Sequence, residues 1–111
     1  MDLRINEYRA MWILAFFDLP TELRQDRKAY ADFRKGLIRD GFTMFQFSIY
    51  VRNCASMENA EVHKKRVRSI VPDKGKIGMM CITDKQFEAI EIFYGKKITV
   101  PNHAPMQLEL F

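Results

Sequence analysis

The stretch Met11-Trp12-Ile13-Leu14-Ala15-Phe16-Phe17-Asp18-Leu19-Pro20 decides how the rest of the chain is read. Its apolar part, Met11 to Phe17, runs unbroken and then stops at an acid and a proline. The run is far shorter than the ~18 residues a membrane span needs. It is also too continuous for a half-exposed strand, so it reads as a strand buried on both faces. Pro20 cannot continue a ladder and ends it. Asp18 is thereby set at the carboxyl end of a central strand.

Working outward, Thr21 or Asp26 can cap a helix that runs to about Asp40. Ala29, Tyr30, Phe33, Leu37 and Ile38 fall at helical spacing along it, and Arg27, Arg34 and Lys35 fall away from that stripe. Gly41 closes the helix in the left-handed conformation. Phe42 to Asn53 is extended. Phe45, Phe47, Ile49 and Val51 form an apolar face that reads as buried, and Met44, Gln46, Ser48, Tyr50 and Arg52 form a mixed one. The segment is long for one strand, so a bend or two short strands kinked near Gln46–Ser48 is expected. Ser56 caps a second helix to about Val71, with Ala60, Val67, Ile70 and Val71 inward and His63 packed at the edge of the stripe. Pro72-Asp73-Lys74-Gly75 is a turn and Lys76 to Ile82 a strand. Thr83-Asp84-Lys85-Gln86 matches a capping box, opening a short helix with Phe87, Ile90 and Phe93 on one side and Gly95 at its end. Met106 to Phe111 alternates and suits a final strand.

The order is β-α-β-β-α-β, which predicts an α+β, ferredoxin-like fold with a C-terminal short helix and an extra strand. One domain is expected over residues 1–111: a loose lead-in at 1–10, a core at 11–95 and an extension at 96–111. A sheet with helices on one face should be polar on the other, and the run 11–17 is not. Something must cover that second face. A second copy of the chain is the expected cover, giving a homodimer in which the terminal strand pairs with the neighbour.

The chain of 111 residues carries 18 Lys plus Arg against 14 Asp plus Glu, a net charge of +4. With 48% apolar and 29% charged residues it has the balance of a folded domain. Residues 1–70 hold all of the excess charge, and residues 71–111 are neutral. Arg24, Arg27, Lys28, Arg34, Lys35 and Arg39 lie along one helix; Lys64, Lys65, Arg66 and Arg68 lie along the other. Clustered cations suit a polyanion, although acids interleave in the first cluster. The N-terminus lacks the order of a signal peptide, and Cys54 and Cys81 form no CxxC pair, so free thiols and a cytoplasmic location are expected.

Asp18 is the best-placed chemical group. A carboxylate at the end of a buried strand can ligate Mg²⁺ or Mn²⁺, but one carboxylate is a poor site, and two related by a two-fold axis make a better one. The plainer reading is a turn-capping role. No nucleophile lies at useful spacing from His63 or His103, and the five glycines form no phosphate loop. Tyr50 and Arg52 suit either a phosphate contact or a surface pair.

Phe16-Phe17-Asp18-Leu19-Pro20-Thr21, Arg27-Lys28-Ala29-Tyr30, Phe33-Arg34-Lys35, Gly41-Phe42, Met44, Gln46, Ser48-Ile49-Tyr50 and Arg52 together resemble the CRISPR-associated Cas-two family. More narrowly, they resemble members found beside a Cas-nine effector. The likeness is dense from Met11 to Arg52 and looser from Ser56 to Gly95. It implies a ferredoxin-like homodimer working in spacer acquisition. There it sits between dimers of the Cas-one integrase with duplex prespacer DNA lying across it, and a Cas-nine effector is a further partner during acquisition. It also implies that Asp18 is the Mg²⁺ ligand of an endonuclease attributed to several members, acting on RNA or duplex DNA. Many members have Tyr where Phe17 stands, so one hydroxyl near that ligand is missing here. A stand-alone RNA-binding module or toxin-like ribonuclease is the third reading, which aromatic rings exposed on the sheet would favour.

Overall fold

Residues 10–95 and 97–98, the last two as backbone, are described by the computed structural model. β1, Met11–Asp18, is central. It pairs antiparallel with β3, Ile49–Cys54, on one side and with β4, Lys76–Thr83, on the other. β2, Thr43–Gln46, pairs with β3 and completes a four-stranded antiparallel sheet in the order β2-β3-β1-β4. This is the ferredoxin-like arrangement that the element order predicts. α1, Arg24–Arg39, and α2, Met57–Arg68, connect the strands as two crossovers.

The core lies between these helices and the odd-numbered residues of β1. Ile13, Ala15 and Phe17 pack with Phe33 and Leu37 of α1, Ala60 and Val67 of α2, and Tyr50 and Cys54 of β3. Phe17 is the hub of the aromatic part: Phe33 meets it edge-on at 5.1 Å, Tyr50 stacks at 5.8 Å and Tyr30 lies at 6.0 Å. The even-numbered residues face the other way. There α3, Asp84–Glu88, lays Phe87 flat on Trp12 at 3.8 Å, and Val51 and Phe45 close around them. The Trp12 indole Nε1 donates to Asp84.

The expectation that Met11–Phe17 is buried on both faces therefore holds only in part. The chain's own α3 covers the Trp12 end of the far face, whereas Phe16, near the other end, is 44% exposed. α3 is shorter than the pattern suggests. It stops at Glu88, and Phe93 belongs to β5, Phe93–Tyr94, which pairs with β6, Lys97–Ile98, across the Gly95 turn. α2 likewise ends at Arg68, leaving Ile70 and Val71 exposed rather than inward. Neither Thr21 nor Asp26 is the cap residue of α1. Leu23 holds that place, and Asp26, at the third helical position, accepts from the Leu23 N–H at 3.3 Å. Ile38 falls off the buried stripe and is exposed.

The kink expected near Gln46–Ser48 is present. β2 ends at Gln46, a bulge shifts the register between Met44 and Gln46, and Ser48 turns the chain with φ +66°. The consequence for side chains reverses the sequence reading. Phe47, expected inside, is 77% exposed at the turn, and Tyr50, expected on the mixed face, is 1% exposed beneath α1. Gly41 closes α1 at φ +93°, Ser56 caps α2 and Thr83 with Gln86 forms the capping box of α3, all as expected. Of the expected lead-in at 1–10 only residue 10 is described, and the final strand at 106–111 lies outside the described residues.

Candidate functional site

Asp18 ends β1 opposite Lys76, the first residue of β4, and both are exposed. Among the described residues its carboxylate has no hydrogen bond or ion pair. Around it opens a concavity of about 500 Å³ lined by Phe16, Asp18, Phe47, Lys76 and Gly78, among others. The turn that walls one side is firmly held. The Phe17 N–H donates to the Ser48 carbonyl at 3.1 Å, and the Tyr30 hydroxyl lies 3.3 Å from the Ser48 hydroxyl.

The donor set for a divalent cation is thin. Among the described residues no group of three or more His, Cys, Asp or Glu gathers where a metal would sit. One Asp18 offers one carboxylate, with which Mg²⁺ would keep most of its waters. Among the described residues of one chain, Asp18 alone does not make such a site.

The candidate phosphate-binding cations divide by their partners. Arg27 donates to the carbonyls of Thr21 and Glu22 and so ties the loop before α1. Lys28 pairs with Asp32 and Lys64 with Glu61, each on its own helix. Arg34 gives its Nε to the buried Tyr50 hydroxyl at 2.8 Å and remains exposed itself. Arg52 is half-buried, donating to the Asp40 carbonyl at 2.7 Å and the Asn53 carbonyl at 2.8 Å. Arg24, Lys35, Arg39 and Lys65 are exposed and spend no side-chain nitrogen on the described part of the chain.

Between the helices Asp40 gathers two partners, the His63 imidazole and the Arg66 guanidinium. Its Oδ2 lies 2.8 Å from His63 Nδ1 and its Oδ1 lies 3.0 Å from Arg66 Nη1. A carboxylate only accepts, so His63 Nδ1 carries the proton. Burial pushes the Asp40 carboxyl up, but the hydrogen bonds from His63 and Arg66 and their charges outweigh it and hold it below the ordinary value. This cluster fixes α1 to α2 and leaves Arg39 and Arg66 along the same inter-helix groove. His63 is thus the packed core residue that the sequence suggests.

Cys54 is buried, Cys81 is half-buried, and both are free thiols. Burial raises both above the ordinary thiol value, which makes them poor nucleophiles. No helix among the described residues is long and apolar enough to cross a membrane.

Sequence reasoning named Asp18 and the helical cations but passed over Phe47 and Phe16, which share the concavity with Asp18 and Lys76. The expected kink held the missing signal, since a residue inside a tight turn cannot also be an interior strand position.

Comparison with known proteins adds the family. The family model described as CRISPR associated protein Cas2 matches residues 11–90. A protein of Flavobacterium psychrophilum named CRISPR-associated endoribonuclease Cas2 is 62% identical over 108 residues, covering 97% of this chain and 94% of that one. A protein of the same name from Parvibaculum lavamentivorans is 54% identical over 101 residues, covering 91% of this chain and all of its own. One from Ligilactobacillus salivarius is 43% identical over 88 residues, covering 79% and 87%.

Proposed function

The chain belongs to the CRISPR-associated Cas2 family, and from that premise we propose that it serves spacer acquisition as a dimeric scaffold, holding duplex prespacer DNA and bridging dimers of the Cas-one integrase. The observation that carries this reading is the set of exposed cations without partners among the described residues, Arg24, Lys35, Arg39 and Lys65, on two helices fixed to one sheet. Arg34 and Arg66 add charges whose position is set by Tyr50 and Asp40. Such an array meets phosphates without reading bases. Arg52, turned onto the chain's own carbonyls, is left out of it. The homodimer would cover the open end of the far face around Phe16 and Met80, and the cytoplasm is where such a protein would work.

Duplex binding should be sequence-tolerant and should weaken at least tenfold between roughly 50 and 200 mM salt. Replacing Lys35 and Arg39 by Ala should flatten the salt slope by about 0.9 for each phosphate no longer neutralised. An affinity that stays level with salt contradicts the scaffold reading. In integration reconstituted with the Cas-one integrase, a short duplex and Mg²⁺, Asp18→Ala should stimulate as well as the unmodified chain.

A second reading is a metal-dependent endonuclease. It is favoured by the unpartnered Asp18 carboxylate in an open concavity, and relatives carry the name endoribonuclease. Two Asp18 carboxylates from two copies would hold Mg²⁺ or Mn²⁺, which supplies Lewis acidity and an activated water. Loss of integration with Asp18→Ala in an intact dimer, together with cleavage of RNA or DNA by the unmodified chain only, would turn the assignment to this reading.

A further inference from the structure

A large aromatic ring stands in solvent beside Asp18. Phe47 is 77% exposed although the turn that carries it is held by hydrogen bonds at Ser48. Ser48 holds φ +66°, a region that non-glycine residues enter only where their surroundings over-determine it. Here the surroundings are the Phe17 N–H on the Ser48 carbonyl and the Tyr30 hydroxyl on the Ser48 side chain. The Tyr30 ring lies 6.0 Å from Phe47, nearly parallel at 23°, so one side of Phe47 is backed and the other is open. Packing does not explain a large apolar ring fixed in water by a strained turn.

We propose that Phe47 is a stacking platform for an unpaired nucleobase at the end of β1, with the adjoining phosphate received by Lys76. The concavity of about 500 Å³ has the size of a small-molecule site. Two of its walls, the Phe47 ring and the Lys76 ammonium, match the two halves of a nucleotide. Stacking is sequence-tolerant, because every base presents a π-face, so RNA and DNA single strands share the chemistry. The inference rests on the reading that this chain handles nucleic acid and names the part of it that Asp18 would meet: a single-stranded end or loop, not the paired duplex on the helices.

The test compares the full chain with Phe47→Ala and Phe47→Trp. The probes are a single-stranded RNA of roughly eight nucleotides, its DNA counterpart and a blunt duplex, with sedimentation run in parallel. Phe47→Ala should lose about tenfold or more in affinity for both single strands, keep blunt-duplex affinity within about twofold and sediment unchanged. Phe47→Trp should restore single-strand binding. Unchanged single-strand affinity in Phe47→Ala overturns the proposal. So does an affinity loss that accompanies loss of self-association, which would assign the ring to an interface with a second copy. A chain that binds the single strands through Phe47 but not the blunt duplex sustains this proposal and removes the scaffold reading.

Discussion

Phe33→Ala should cost about 3–5 kcal/mol of folding stability, a large share of the ~5–15 kcal/mol a domain of this kind has. Phe33 is buried on α1 and presses edge-on against Phe17. Truncation removes the ring's transfer energy and leaves a cavity, because Tyr50 and Tyr30, which pack on the same Phe17 ring, are held by hydrogen bonds and cannot simply close in. The measurement is urea unfolding at fixed protein concentration, since self-association would add to apparent stability. A loss below about 1 kcal/mol would mean that the aromatic cluster repacks freely. The effect should reach the candidate site, because Phe17 is the residue before Asp18 and its N–H is bonded to the turn at Ser48.

Asp40→Ala should cost about 2–3 kcal/mol, less than the ~3–5 kcal/mol of a fully buried pair. Arg66 can recover water once its partner is gone, but His63 is buried and cannot. The pH dependence has a definite sign. The folded-state pKa of Asp40 is depressed, so its contribution is fully present above the ordinary carboxylate range. That contribution fades as pH falls through the range toward the lowered folded value. The stability gap between the unmodified chain and the neutral isostere Asp40→Asn should therefore be widest near neutrality and close in acid. Urea midpoints across that window check it, and a gap that widens in acid contradicts the assignment.

Much of the fold is legible because β1 and the helices obey simple rules. An apolar run ending at Pro20, caps at Ser56 and Thr83, and the left-handed Gly41 each specify a boundary by local chemistry. The segment from Phe42 to Asn53 misleads. Alternation carried through the turn makes one buried face of Phe45, Phe47, Ile49 and Val51. The bulge and the Ser48 turn break that continuity, and the main core takes Tyr50 from the set that reads as mixed. Tyr50 can be buried because Arg34 satisfies its hydroxyl, a partnership between positions sixteen apart in sequence that no local pattern reports. The carboxylate at Asp18 is legible from its place at a strand end, but its neighbours are not. Lys76 and Phe47 reach it only through strand pairing.

That pairing also sets an order in time. β1 is made before both of its ladder partners, residues 49–54 and 76–83. During synthesis the apolar run must wait, unpaired and exposed, until β4 has left the ribosome, and the end of the strand acquires Lys76 only then. A nascent chain that has not reached β4 has α1 and its cations within its sequence but no completed acidic end. A ribosome stalled between the codons for Ile70 and Lys76 would hold a product with a cationic helix and an open strand edge, a ready template for aggregation.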